Sequence, residues 1–92
     1  MDVDPTRLRR EFGGTDGEVR VVARQAGDLL DSGRLGADRG HELTAEEILS
    51  HLRDAPAGSS PVERWNWWMG ALEIAYGGYE QFTIRADGSV DG

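Results

Sequence analysis

The sequence predicts a mainly α domain, α+β in detail, with three to four helices closed by a C-terminal β-strand or short hairpin. Apolar residues recur at helical spacing in three long stretches, each opened by a Ser or Thr with Glu three positions later. Paired glycines interrupt these stretches at Gly13-Gly14 and Gly77-Gly78. Beyond the last pair, Tyr79-Glu80-Gln81-Phe82-Thr83-Ile84-Arg85 alternates and is rich in aromatic and β-branched residues, the pattern of a strand. No repeat, low-complexity tract or linker divides the 92 residues. One small domain over 1–92 is expected, frayed at 1–4 and 88–92.

Asp4 and Pro5 form an N-cap and N1 pair, and Leu8 with Phe12 supplies an i, i+4 apolar couple, which predicts a short leading helix. Its Arg7, Arg9 and Arg10 are the one basic cluster, diluted by Glu11. Thr15-Asp16-Gly17-Glu18 fits a capping box for a second helix running to about Ser32. Val19, Val22, Ala23, Ala26, Leu29 and Leu30 form its buried stripe; a strand over Glu18–Arg24 is the weaker alternative. Gly33 and Gly36 end this helix, and Ala37–His41 reads as a polar loop.

Leu43-Thr44-Ala45-Glu46-Glu47-Ile48 combines a capping box, Thr44 with Glu47, and a hydrophobic staple, Leu43 with Ile48. The third helix stops near Asp54, ahead of Pro56. Ser60-Pro61-Val62-Glu63 then opens a helix that holds Trp65, Trp67 and Trp68. The strand beyond Gly77-Gly78 lacks an obvious partner: Asp87-Gly88 can turn it back onto Ser89-Val90, but that arm is short.

At about 100° per residue the three indoles cannot share a face. Trp65, Trp68, Met69, Leu72, Ala75 and Tyr76 gather on one broad side, and Trp67, Ala71 and Ile74 on the other. Trp65, Trp68 and Leu72 of the first side are expected in a core with Leu8, Val22, Ala26, Leu29, Ile48 and Leu52. The second needs separate cover, from another copy of the chain, from another element of the same chain, or from a different partner. The expected interaction residues are Trp67, Gly70, Ala71, Ile74, Tyr79 and Phe82, with a homodimer as the favoured assembly.

Seventeen acids stand against ten bases, all arginine, for a net charge of -7. Dense hydrated carboxylates with arginine and no lysine suit a cytoplasm of concentrated salt; a GC-rich coding bias is the competing explanation. In molar salt the Debye length falls to about 3 Å, which weakens attraction to nucleic acid or lipid and leaves apolar association intact. The absence of cysteine removes disulfide and thiolate chemistry. No apolar h-region or membrane-length run is present, so a cytoplasmic location is expected.

Catalytic and metal constellations are lacking. Glu47 and His51 share a helix face at i, i+4, but two ligands are too few for zinc. The serines fall in caps and loops, without a base beside them. Glu46-Glu47 is a solvated first turn, and Asp28, Asp31 and Asp38 lack calcium-loop spacing. No enzyme activity, cofactor or metal is therefore expected. One alternative is a small-ligand-binding domain or enzyme with a pocket near residues 34–41, lined by Arg34, Arg39 or His41. Another is a winged-helix-like DNA-binding regulator, although Arg64 and Asn66 are the only base-reading residues on the tryptophan helix.

Val22-Ala23-Arg24-Gln25, Leu29-Leu30-Asp31-Ser32-Gly33-Arg34 and the block from Glu63 to Glu73 with Gly77-Gly78-Tyr79 resemble a family of small uncharacterised proteins of halophilic archaea. The resemblance spans most of residues 18–85. It implies a haloarchaeal cytoplasmic home and carries over no functional residue, since no activity is attached to the family.

Overall fold

In a computed structural model, residues 3–40 and 43–84 are described. Five helices follow in order: α1 Pro5–Phe12, α2 Asp16–Ser32, α3 Arg34–Arg39, α4 Ala45–Arg53 and α5 Pro61–Ala75, then a single 3-10 turn at Glu80–Phe82. α5 is the central rod and packs against α1, α2, α4 and the 3-10 turn. All nine residues expected in the core are buried, and Val3, Leu35, Leu43, Leu49, Met69, Tyr79 and Phe82 join them.

The helix starts form where the capping residues stand. Asp4 accepts the Thr6 amide at 2.9 Å, and complete capping boxes close over Thr44 with Glu47 and Ser60 with Glu63. Each satisfies orphan amides of a first turn, typically contributing about 1 kcal/mol. Leu43 and Ile48, the staple pair, are both buried. At α2 only half of the expected box exists: Thr15 accepts the Glu18 amide, but the Glu18 carboxylate turns away. Its Oε2 accepts the Val62 amide at 3.0 Å, 44 residues on, so Glu18 caps α5 from another helix.

Three expectations are corrected. Ala37–Arg39 belongs to α3 rather than to a loop: Gly33 reverses the chain in a left-handed conformation (φ 69°) and a new helix begins at once, burying Leu35. His41 lies outside the described residues. Fraying at 1–4 does not extend to Val3 and Asp4, since Val3 is buried and Asp4 caps α1.

The third correction concerns the C-terminal strand. Among the described residues there is no strand, and Glu80–Phe82 is a 3-10 turn. A strand needs a ladder partner for its amides and carbonyls, and this segment finds side chains instead. Arg85 onward, with the Asp87-Gly88 turn and the Ser89-Val90 arm, lies outside the described residues.

Side-chain bonds tie the helix ends together. Arg64 donates to Ser59 O and to Leu52 O, each at 3.0 Å, while its guanidinium sits 4.7 Å from the Phe12 ring centroid. Arg53 grips Glu11 through two bonds of 2.8 and 2.7 Å, and Arg7 pairs with Glu46 and Glu11. These charges are exposed, so each pair adds little on its own.

Gly14 marks the tightest approach. Its φ is 89°, and a Cβ there would lie 2.8 Å from the Glu18 carboxylate and 2.9 Å from the Pro61 ring. Gly14→Ala is therefore expected to cost roughly 2–4 kcal/mol, combining left-handed strain with a clash at the α2–α5 junction. Gly17→Ala, which meets only the Thr15 hydroxyl at 4.0 Å, is expected to change stability by less than about 1 kcal/mol. Urea unfolding of the two variants checks the contrast.

Candidate functional site

The four residues Trp65-Asn66-Trp67-Trp68 point in four directions and take four different environments. Trp65 is fully buried and meets Trp68 edge-on, with centroids 5.6 Å apart and planes at 84°. Its indole Nε1 donates to Phe82 O at 2.7 Å, satisfying a polar atom whose burial without a partner costs a few kcal/mol. Asn66 takes both main-chain groups of Ile84: Nδ2 donates to the carbonyl at 2.6 Å and Oδ1 accepts the amide at 2.7 Å. This is the pairing a neighbouring strand would provide, supplied by one side-chain amide.

Two turns further along α5, Glu73 Oε1 accepts the amides of Tyr79 at 2.7 Å and Glu80 at 3.0 Å. From α3, Arg34 donates to Gly77 O at 3.0 Å and lies 5.4 Å from the Tyr79 ring centroid, while Asp38 accepts the Tyr79 hydroxyl at 2.6 Å. Burial and the Asp38 carboxylate raise the Tyr79 pKa, so the phenol stays a donor. Residues 77–84 are thus strapped along α5 by the side chains of Trp65, Asn66, Glu73 and Arg34.

The fourth tryptophan-block position, Trp68, stacks on His51 with centroids 4.9 Å apart and planes at 12°. Burial lowers the His51 pKa, and nearby Arg39 pushes it the same way. His51 therefore serves α4–α5 packing as a neutral ring. Among the described residues no group of three or more His, Cys, Asp or Glu side chains is placed to hold a metal, and no helix is long and apolar enough to cross a membrane.

The six expected interaction residues divide. Trp67, Gly70, Ala71 and Ile74 all lie exposed on the outer side of α5, Trp67 being 42% and Ile74 89% accessible. Tyr79 and Phe82 are instead buried, at 0% and 7%, because the strap carries them into the core of their own chain. Ala75 and Tyr76, assigned to the buried side by angle alone, are exposed, since no element among the described residues covers the last turn of α5 on that side.

Of the residues expected to line a ligand site near 34–41, Arg34 is bonded to Gly77 O and lies against the Tyr79 ring, Arg39 has its Nε buried without a hydrogen-bond partner among the described residues, and His41 lies outside them. A different groove of about 240 Å³ opens between α1 and α2, lined by Pro5, Thr6, Arg9, Asp16, Val19 and Arg20. Arg9 there is paired with Asp16. Arg64 and Asn66, the two residues weighed for contact with bases, are bound to main-chain groups of the fold.

Asn66→Ala leaves the Ile84 amide and carbonyl without partners and is expected to cost about 1–3 kcal/mol, with faster hydrogen exchange at Ile84 than at α5 amides. Acid should loosen the molecule in two steps. His51 has a folded pKa below its ordinary 6.5, so its contribution is present above about 6.5 and lost as pH falls through the folded value. Glu73 is held below its ordinary 4.5 by the Tyr79, Gly78 and Glu80 amides, so strap anchoring declines only below that pH. Tryptophan fluorescence across a pH titration, with His51→Gln removing the first step, tests the assignment.

No curated protein and no solved structure matches the chain. The WNWW domain matches residues 2–73, which takes in α1 to α4 and nearly all of α5, and Trp65-Asn66-Trp67-Trp68 spells that description in this sequence. With most of its length covered by the match, the chain belongs to the WNWW domain family.

Proposed function

We propose that this chain is a non-enzymatic interaction module of a salt-rich cytoplasm, and that it self-associates through the outer stripe of α5. The observation that carries this reading is the exposure of Trp67 and Ile74, two large apolar side chains seven positions apart on one helix face. Between them Gly70 and Ala71 keep the helix surface low, and a Cβ at Gly70 would meet nothing within 4 Å. A second copy can lay its Trp67 into that low ground, the self-complementary arrangement a two-fold dimer requires.

Magnitudes favour a reversible dimer. The exposed parts of Trp67 and Ile74 on two copies amount to on the order of 500 Å², short of the roughly 1,200 Å² of a stable interface. Concentrated structure-making salt strengthens such burial and screens the repulsion between two chains of charge -7. The acidic, lysine-free composition supports the halophilic, cytoplasmic setting in which this balance holds. A catalytic or ligand-binding role finds less support, because Arg34 and Asp38 are engaged by the strap.

Trp67→Ala is expected to lower the molar mass measured by light scattering at molar salt without unfolding the chain, since Trp67 contributes little to the core. An identical mass for both proteins contradicts the proposal.

A further inference from the structure

Residues Gly77–Ile84 are held in the way a protein holds a bound peptide. Their main chain joins no ladder among the described residues. Phe82 O is taken by Trp65, both groups of Ile84 by Asn66, the Tyr79 and Glu80 amides by Glu73, and Gly77 O by Arg34. Tyr79 and Phe82 enter the core beside these anchors. The bonds within the segment are local: Phe82 N donates to Tyr79 O, and Thr83 N to Glu80 O. Groove and occupant are therefore separable surfaces, joined through Gly77 and Gly78.

That joint is open at Gly77 and closed at Gly78, where a Cβ would run into the Arg34 guanidinium. Gly77 has φ 81° and Gly78 φ 87°, and a Cβ at Gly77 would meet nothing within 4 Å. The apolar side chains flanking it stand in solvent, Ile74 at 89% and Tyr76 at 47%. Reversing the chain at this point leaves that end of α5 bare.

We propose that the groove exchanges its occupant, so that two copies of the chain trade their 77–84 segments and each fills the other's groove. The exchange rests on the reading of the chain as self-associating and specifies the element that crosses between copies. Every one of these anchors is re-formed, because donor and acceptor come from identical surfaces. Four peptide units from Ala75 to Tyr79 span at most about 14 Å, so exchange places the end of each α5 within that distance of the Tyr79 seat in the other copy's groove. The exposed Ile74 and Tyr76 then lie along the crossing between the copies, which makes this a contact of the same chain rather than of a foreign one.

The test uses the full chain. Equal amounts of isotope-labelled and unlabelled protein are unfolded, refolded together at high concentration in molar salt, and studied by isotope-filtered NOE spectroscopy. Exchange predicts intermolecular NOEs from the Trp65 indole N–H to residues 82–84. It also predicts that Gly77→Val, which strains the reversed hinge but fits an extended one, tightens the dimer by at least about tenfold. A dimer in which those NOEs are all intramolecular overturns the exchange and leaves the outer-stripe contact standing. A chain that stays monomeric as wild type overturns both. Should Gly77→Val fail to fold, the wild-type spectra decide.

Discussion

Three indoles placed within four positions of one α-helix, which turns about 100° per residue, cannot share a face, and the rest of the molecule is arranged around that constraint. Trp65 and Trp68 are the pair that fits beneath α5, where they meet edge-on and bury against α1, α2 and α4. Asn66, between them, falls to one flank and Trp67 to the other. The flank of Asn66 is wet enough to need hydrogen bonds and close enough to the core to order a neighbouring segment. The flank of Trp67 is left uncovered.

The strap along α5 follows from this division. A chain leaving α5 at Gly77 must satisfy its main chain without a sheet, and α5 presents Trp65 Nε1, the Asn66 amide and the Glu73 carboxylate along its flank. Those three side chains fix Phe82, Ile84 and the Tyr79–Glu80 turn, and the strap in turn buries Tyr79 and Phe82 in the core. A similar economy operates at the other end of α5, where Glu18 and Ser60 divide the free amides and Arg64 closes the C-terminus of α4. The central helix is thus held at both ends by polar bonds from distant residues, although its own sequence is largely apolar.

Much of the fold was legible because helix starts are local chemistry. Asp4-Pro5, Thr44 with Glu47, and Ser60-Pro61 with Glu63 announce caps within four residues, and spacing alone identifies the buried stripe of α2. The outer stripe of α5 was legible for the same reason, since 100° per residue separates Trp67 and Ile74 from Trp65 and Trp68. What stayed hidden depends on partners far along the chain. Glu18 has the spacing of a box residue, yet the Val62 amide, 44 positions away, offers it a better use. Alternation in Tyr79–Arg85 suggested a two-residue period, but the side chains buried there are Tyr79 and Phe82, three positions apart as a 3-10 turn places them. α3 escaped because six residues between glycines show too little periodicity, with Leu35 as their single buried anchor. The signal that marks the strap is Asn66, an amide beside two buried indoles.

The division of labour among the three tryptophans is tested most directly by hydrogen exchange at their indole N–H groups, read by NMR on the dilute chain. Trp65, bonded to Phe82 O inside the core, should exchange only through opening of the fold or the strap. Trp67 should exchange at close to the rate of a free indole, and its protection should grow as the protein is concentrated in salt. Equal protection of Trp65 and Trp67 at high dilution would contradict the account, because it would mean that the outer side of α5 is already covered within a single chain.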